Sequence, residues 1–187
     1  LRSIVIKECV NMQSISRSRS GGGYVVLATT TDCSTEGGGR LLLVKFNSQD
    51  VLEWARRINS ATMKVILPQR ILSTSDDGFI IVGSMSSPIM TTTGIVLKVS
   101  ELGAISWAKT YGRGGFWKDY VSDVAELPGE LGGYRLAGYG NSYRAGRSLD
   151  AFIAQIESDG NLNQHTAITD VTIDLSSTDA GNIIFTS

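Results

Sequence analysis

The sequence predicts an all-β fold built from a repeated four-stranded antiparallel unit. Three observations predict it: an internal repeat, short runs of β-branched and aromatic residues bounded by turn residues, and no long segment with helical apolar periodicity. Hydrophobic residues make up 42% of the 187 residues, which is enough for a packed core. One domain spanning residues 1–187 is the expected organisation.

The repeat has a clear internal period. An aromatic residue follows glycine at Tyr24, Phe79 and Tyr134, with a spacing of 55 residues. Each copy continues with an aliphatic run and a turn. A segment containing tryptophan follows, with Trp54 in the first copy and Trp107 in the second, whereas the third copy lacks this tryptophan. Matches in this order indicate copies of one supersecondary unit.

Each copy is expected to form four strands, named a to d along the chain. The β-branched composition and the flanking Gly, Asp and Ser residues are typical of short strands. The expected positions are Val10–Ile15, Ile66–Ser73 and Val121–Leu127 for a; within 21–28, 76–83 and 131–138 for b; 41–46, 94–99 and 150–156 for c; and 52–56, 105–109 and 162–165 for d. The corresponding units span about 9–58, 65–112 and 120–166.

The two ends of the chain predict a fourth, composite unit from 170–187 and 1–8. Val171–Leu175 and Asn182–Thr186 resemble a fresh a strand and b strand joined by a polar turn, and Ser3–Lys7 lies where a d strand is expected. This makes fifteen strands, one fewer than four complete units need. Three arrangements stay open: a ring closed within one chain, insertion of the N-terminal strand into the next molecule, or a piece of a longer array.

A four-stranded antiparallel unit with this period is typical of a small β-propeller, here of about four blades. The segment Trp107-Ala-Lys109-Thr-Tyr111-Gly112, together with Gly133-Tyr134 and Ala137-Gly138, resembles the bacterial and archaeal β-propeller repeats of the SBBP and delta-60 type. The resemblance covers nearly the whole chain and fails at the third d strand. It implies a secreted or cell-surface propeller, and supplies fold and compartment rather than chemistry.

Long loops between d and a and between b and c emerge at one end of such a sheet, which makes that end the candidate binding face. Aromatic and arginine side chains cluster in these loops and suit a glycan, peptide or protein ligand. The candidate ligand-binding residues are Arg113, Trp117, Tyr120, Tyr143, Arg144 and Arg147. The alternative is that the aromatic residues, with Phe116, pack between adjacent blades.

Cys9 and Cys33 are the two cysteines of the chain. Antiparallel pairing of the first a and b strands brings them close to cross-strand partners, which predicts a disulfide. Two buried free thiols are the alternative. A disulfide would agree with an extracellular or cell-surface location.

Composition excludes several classes of protein. The net charge is −1 and the pI about 5.8, so the composition lacks the excess of basic residues that is typical of a protein that binds nucleic acid. No apolar run is long enough to span a bilayer. The single histidine, His165, has no motif partner for metal binding or acid–base catalysis.

The remaining polar residues are interpreted as structural. Asp76-Asp77 and Asp159 are expected to be turn formers rather than metal ligands. Glu126 and Glu130 are expected to be solvated charges beside a Pro-Gly turn, and the serine-rich segment at 14–20 to be a polar a–b turn. The sequence therefore predicts no catalytic residue, no metal and no cofactor.

Two functional hypotheses follow. The first is a non-enzymatic secreted or cell-surface propeller that self-assembles through its incomplete blade, as a homo-oligomer or an extracellular filament joined by the N-terminal strand. The alternative is a closed propeller that binds a glycan or protein ligand through its long loops.

Overall fold

The computed structural model describes residues 5–6, 10–30, 40–60, 65–86, 92–112, 118–129, 132–141, 149–162, 175–179 and 185–186. These residues form fourteen strands joined by turns, with no α-helix among them. The all-β prediction is confirmed.

The strands form three main antiparallel sheets in chain order. The first contains β2 (Val10–Arg17), β3 (Tyr24–Thr30), β4 (Arg40–Phe46) and β5 (Leu52–Ser60). The second contains β6 (Val65–Ser73), β7 (Phe79–Ser86), β8 (Thr92–Val99) and β9 (Ile105–Tyr111). The third contains β10 (Asp119–Glu126), β11 (Tyr134–Gly140) and β12 (Asp150–Ile156). The terminal strands are β1 (Val5–Ile6), β13 (Leu175–Asp179) and β14 (Phe185–Thr186).

The repeat is visible in the pairing. In all three sheets, strands a, b and c pair with one another in this order, and the first two sheets also contain strand d. The strands predicted at these places are confirmed. In the third sheet, Leu162 at the start of the predicted d segment is bridged to Ile156, and residues 163–165 lie outside the described residues.

The first a strand is longer than the sequence predicts. It continues beyond the predicted end at Ile15 to Arg17, so the interpretation of residues 16 and 17 as turn is wrong. The hydroxyls of Ser14 and Ser16 accept hydrogen bonds from the backbone N–H groups of Ile71 and Ser73 at 3.4 and 2.9 Å. These serines therefore join the first sheet to the second.

The chain ends are also arranged differently from the prediction. Leu175–Asp179, expected mainly as a turn, is the strand β13 and pairs with Arg56–Ser60 of β5 as the fifth strand of the first sheet. The outer edge of β5 offers backbone N–H and C=O groups, and a Ser/Thr segment can satisfy them through its main chain. β1 pairs antiparallel with β14 of the same chain.

The three sheets pack in series. β6 lies against β2, β3 and β4, and β10 lies against β6, β7 and β8. One apolar cluster, including Leu27, Leu43 and Phe79, fills the space between the first and second sheets. A second cluster, including Val82 and Leu136, fills the space between the second and third. The second sheet is thus buried on both faces, which explains the unbroken aliphatic runs of its central strands.

Candidate functional site

The two tryptophans of the repeat connect successive sheets. Trp54 Nε1, on β5, donates a hydrogen bond to the carbonyl oxygen of Glu101 at 3.1 Å, in the turn between β8 and β9. Trp107 Nε1, on β9, donates to the carbonyl oxygen of Ser158 at 3.0 Å, in the turn after β12. Each tryptophan thus reaches the c–d turn of the following sheet, and we call this contact the tryptophan latch.

A glycine completes each latch. The rings of Trp54 and Trp107 lie over Gly103 and Gly160, where an added Cβ would come within 3.0 and 2.8 Å of the indole atoms. Both glycines have positive φ, +76° and +82°, which side-chain-bearing residues rarely adopt. The second and third copies therefore require glycine here for both space and backbone conformation.

The segment that carries the family resemblance is part of the second latch. Lys109 Nζ donates to Asn161 Oδ1, and the hydroxyl of Tyr111 donates to the carbonyl oxygen of Gly160 at 2.7 Å. Trp107, Lys109 and Tyr111 therefore all contact one turn of the third sheet. Their role in this structure is to hold two sheets together.

The first sheet has a different turn at this place. Asp50 occupies the position equivalent to Gly103 and Gly160, with φ of 63°. The hydroxyl of Tyr24 donates to Asp50 Oδ1 at 3.1 Å, and burial together with Asp50 raises the pKa of Tyr24. A turn with a side chain here lacks the flat surface on which the other two turns receive a tryptophan ring.

A polar cluster joins all three sheets at the a–b end. The carboxylate of Glu126 accepts hydrogen bonds from the backbone N–H of Ser75 at 2.8 and 3.0 Å and from its hydroxyl at 2.7 Å. Arg19 of the first sheet donates to the same carboxylate at 3.3 Å. The interpretation of Glu126 as a solvated charge is therefore wrong, because its partners come from the two other copies. Glu130 lies outside the described residues.

Two adjoining cavities lie beside this cluster. The larger, about 480 Å³, is bordered by Arg19, Ser75 and Glu126, and the smaller, about 280 Å³, lies over the outer face of the third sheet. Their lining shares Val124, Ala125 and Leu127. Together they form a groove with a polar end and an apolar end.

The third sheet has one open face. Ile153 on β12 is 76% exposed, and Tyr139 on β11 is 40% exposed. The same face of the first two sheets is covered by the next sheet, so the equivalent side chains there are buried. The other exposed residues of this face on the three strands are Asp123, Ala125, Arg135, Ala137 and Ala151.

The residue types on the open face match its exposure. Arg135 stands at the position of Val25 and Ile80, which are fully buried, and Ala137 at the position of Leu27 and Val82. Terminal units of repeat arrays show the same change towards a polar outer face. The alternation Tyr-Arg-Leu-Ala-Gly-Tyr at 134–139 contains this signal, which the sequence analysis did not use.

The outer edge of β12 has one partner in the described part of the chain. β5 pairs along Leu41–Phe46 of the first sheet and β9 along Gly94–Val99 of the second. Among the described residues, the outer edge of β12 is paired at Ile156 alone, with Leu162. Between Asp150 and Ile156 this edge carries neither a charged side chain nor a proline.

Of the predicted ligand-binding residues, one can be placed. Tyr120 is half-buried and stacks on Tyr139, with ring centroids 4.7 Å apart. The others, and both cysteines of the predicted disulfide, lie outside the described residues: Arg113, Trp117, Tyr143, Arg144, Arg147, Cys9 and Cys33.

The acidic turn residues form hydrogen bonds within the protein. Asp76 accepts from Lys98 Nζ at 2.8 and 2.9 Å and from the hydroxyl of Thr74 at 2.5 Å. Burial alone would raise the pKa of Asp76, but these hydrogen bonds outweigh it and hold the pKa below its ordinary value. Asp159 accepts from the backbone N–H of Asn161 at 2.8 Å. In the described part of the chain, no three His, Cys, Asp or Glu residues are grouped so as to hold a metal ion.

No helix among the described residues has the length and hydropathy needed to cross a bilayer. A scan against protein-family models finds none that matches this chain, and a search of curated proteins finds no match. The resemblance to the propeller repeats of the SBBP and delta-60 type stays a prediction.

Proposed function

We propose that this protein is a non-enzymatic secreted or cell-surface module of propeller type, whose three sheets act as blades and which associates with copies of itself through the third sheet. One observation carries the proposal: in the described part of the chain, the outer face of the third sheet is exposed, whereas its equivalents in the first two sheets are covered by the next sheet.

The physical argument concerns the side chains of this face. Ile153 and Leu149 are 76% and 56% exposed, and burial of a large aliphatic side chain contributes about 1.5–3 kcal/mol. Association through the third sheet would bury both side chains. The extracellular setting is supported by the family resemblance and by the predicted disulfide between Cys9 and Cys33.

The test measures the molecular mass of the protein in solution as a function of protein concentration. The wild-type chain should exceed its monomer mass of 20.1 kDa in light scattering at micromolar concentration and above. Ile153→Arg should stay monomeric, because a guanidinium on the joint would be buried without a partner. Leu102→Arg is the matched control, since Leu102 is a 70% exposed aliphatic residue in a turn of the second sheet. It should associate like the wild type.

A wild-type protein that remains monomeric at every concentration would contradict the proposal. Equal loss of association in both arginine variants would also contradict it, because the joint would then not lie on the third sheet. Circular dichroism of each variant ensures that a folded protein is compared.

The alternative, a module that binds a glycan or protein ligand, is favoured by the groove formed by the two adjoining cavities. Ala125 lines both cavities, so Ala125→Trp would place a large indole ring in them. A glycan-array signal that this variant abolishes would support the alternative for glycans, and the absence of any signal would count against it.

A further inference from the structure

We propose that the smaller cavity, over the outer face of the third sheet, is a slot for one extended peptide strand of a partner protein, in which a lysine or arginine directly precedes an aliphatic residue. The inference goes beyond the self-association described above and does not depend on it. Its basis is the internal repeat, because the strands β6 and β10 fill the equivalent places on the first and second sheets.

One aliphatic side chain of each of these strands lies at the same position of the repeat. Ile71 of β6 and Val124 of β10 each pair with the third residue of the b strand of their own sheet. Ile71 is 1% exposed and belongs to the cluster between the first and second sheets, and Val124 is 7% exposed and belongs to the cluster between the second and third. In both places an extended strand packs an aliphatic side chain against the preceding sheet.

The surface that receives this side chain is also equivalent in the three sheets. On the first sheet it contains the cross-strand pair of Leu27 and Leu43, and on the second sheet two valines take these places. On the third sheet the pair is Ala137 and Ile153. Both line the cavity of about 280 Å³, and Ile153 is 76% exposed. An aliphatic side chain of a partner strand would be buried here as Ile71 is buried on the first sheet.

A polar side chain at the slot can bind the main chain of such a strand. On the first sheet the Ser14 hydroxyl accepts a hydrogen bond from the backbone N–H of Ile71 at 3.4 Å. Asp123 stands at the position of Ser14 on the third sheet and lines the cavity. Its side chain is 64% exposed. The carboxylate therefore places an acceptor where the first sheet uses a hydroxyl.

The contact between the second and third sheets indicates which charge the partner strand should carry. Arg70 and Asp123 occupy the same position of successive a strands, directly before Ile71 and Val124. Arg70 Nε lies 3.5 Å from Asp123 Oδ1. In the slot, Asp123 belongs to the preceding sheet of the pair, so the partner residue at this position should be cationic. The next residue of the partner then enters the cavity.

The strand β6 provides a probe, because in it Arg70 directly precedes Ile71. A synthetic peptide with the sequence of Val65–Ser73 is titrated, up to about 1 mM, into fluorescently labelled protein in microscale thermophoresis. The protein is kept at nanomolar concentration so that it is monomeric. The peptide should bind, and the same peptide with Ile71→Ser should bind at least about tenfold more weakly, because the buried aliphatic side chain is lost.

Variants of the protein test where the peptide binds. Ala137→Phe places a ring in the cavity and should abolish binding. Asp123→Lys should bind the original peptide about fivefold more weakly and should prefer a peptide with Arg70→Glu. Leu102→Lys is the control, since it adds a positive charge to an exposed position on the second sheet and should bind like the wild type. Circular dichroism ensures that folded proteins are compared.

Absence of binding up to about 1 mM overturns the inference, and so does equal binding of the original and the Ile71→Ser peptides. Binding that Ala137→Phe leaves unchanged places the peptide elsewhere and also overturns it. If Asp123→Lys still prefers the peptide with arginine, the cationic requirement is wrong. Self-association is tested separately by Ile153→Arg and stands or falls on that result.

Discussion

At the scale of single residues, the structure shows how two buried lysines are accommodated in neighbouring copies of the repeat. The side chains of Lys45 and Lys98, at equivalent places on β4 and β8, are each only 4% exposed. Lys98 pairs with Asp76 of its own sheet, whereas Lys45 pairs with Glu53 and with Glu101 of the next sheet. A buried ammonium group requires a carboxylate partner. The partner comes from a turn for Lys98, and from strand β5 and a turn of the next sheet for Lys45, so the repeat tolerates changes in the position of the carboxylate.

Asp76→Asn should destabilise the protein in a pH-dependent way. Since the pKa of Asp76 is lowered on folding, its carboxylate stabilises the folded state at neutral pH, and this contribution disappears as the pH falls below about 4. Urea unfolding between about pH 2 and pH 7 should show a loss of about 1–2 kcal/mol in the variant at pH 7, and a weaker acid dependence than in the wild type.

Asp123→Asn is the control for that change. Asp123 forms an exposed ion pair with Arg70 at 3.5 Å, which should contribute less than about 0.5 kcal/mol. A parallel pH profile for the wild type and Asp76→Asn would show that the pairing with Lys98 does not stabilise the folded state.

At the scale of strands, the tryptophan latch explains how one sheet is positioned on the next. Trp107→Ala should lower the unfolding free energy by about 2–4 kcal/mol, because it removes the ring from Gly160 and the donor from Ser158. Trp107→Phe keeps an aromatic ring and should cost about 1 kcal/mol. Ser106→Ala, an exposed neighbour on β9, should change stability by less than about 0.5 kcal/mol. Equal effects of Trp107→Ala and Ser106→Ala in thermal or urea unfolding would refute the latch.

The limits of sequence-based prediction also lie at this scale. Strands a to c were predictable in every copy because alternation and flanking turns are local properties. The pairing of β13 with β5 was not, because an edge accepts any main chain that reaches it. Glu126 was misinterpreted for a related reason: its partners Ser75 and Arg19 are supplied by other copies. The open face could have been predicted from Arg135 and Ala137, had the three copies been compared position by position.

At the scale of the whole molecule, the three sheets differ in how completely they are covered. The second sheet packs on both sides, and every residue of β7 except the last is buried. The first sheet carries a further buried cluster on its other face: Ala28, Leu42, Val44, Phe46 and Ala55. The third sheet has an exposed outer face among the described residues. Stability should therefore decrease from the second sheet to the third.

Hydrogen exchange followed by mass spectrometry tests this order. Backbone amides open with free energies that reflect local burial, so peptides covering β7 and β8 should exchange last and those covering β11 and β12 sooner. The experiment is done on Ile153→Arg, so that association does not protect the third sheet. In the wild type, raising the concentration should slow exchange in β12 while leaving β7 unchanged, because association through the third sheet covers its exposed face. Uniform exchange in the variant would contradict the graded stability, and concentration-independent exchange of β12 in the wild type would contradict association through the third sheet.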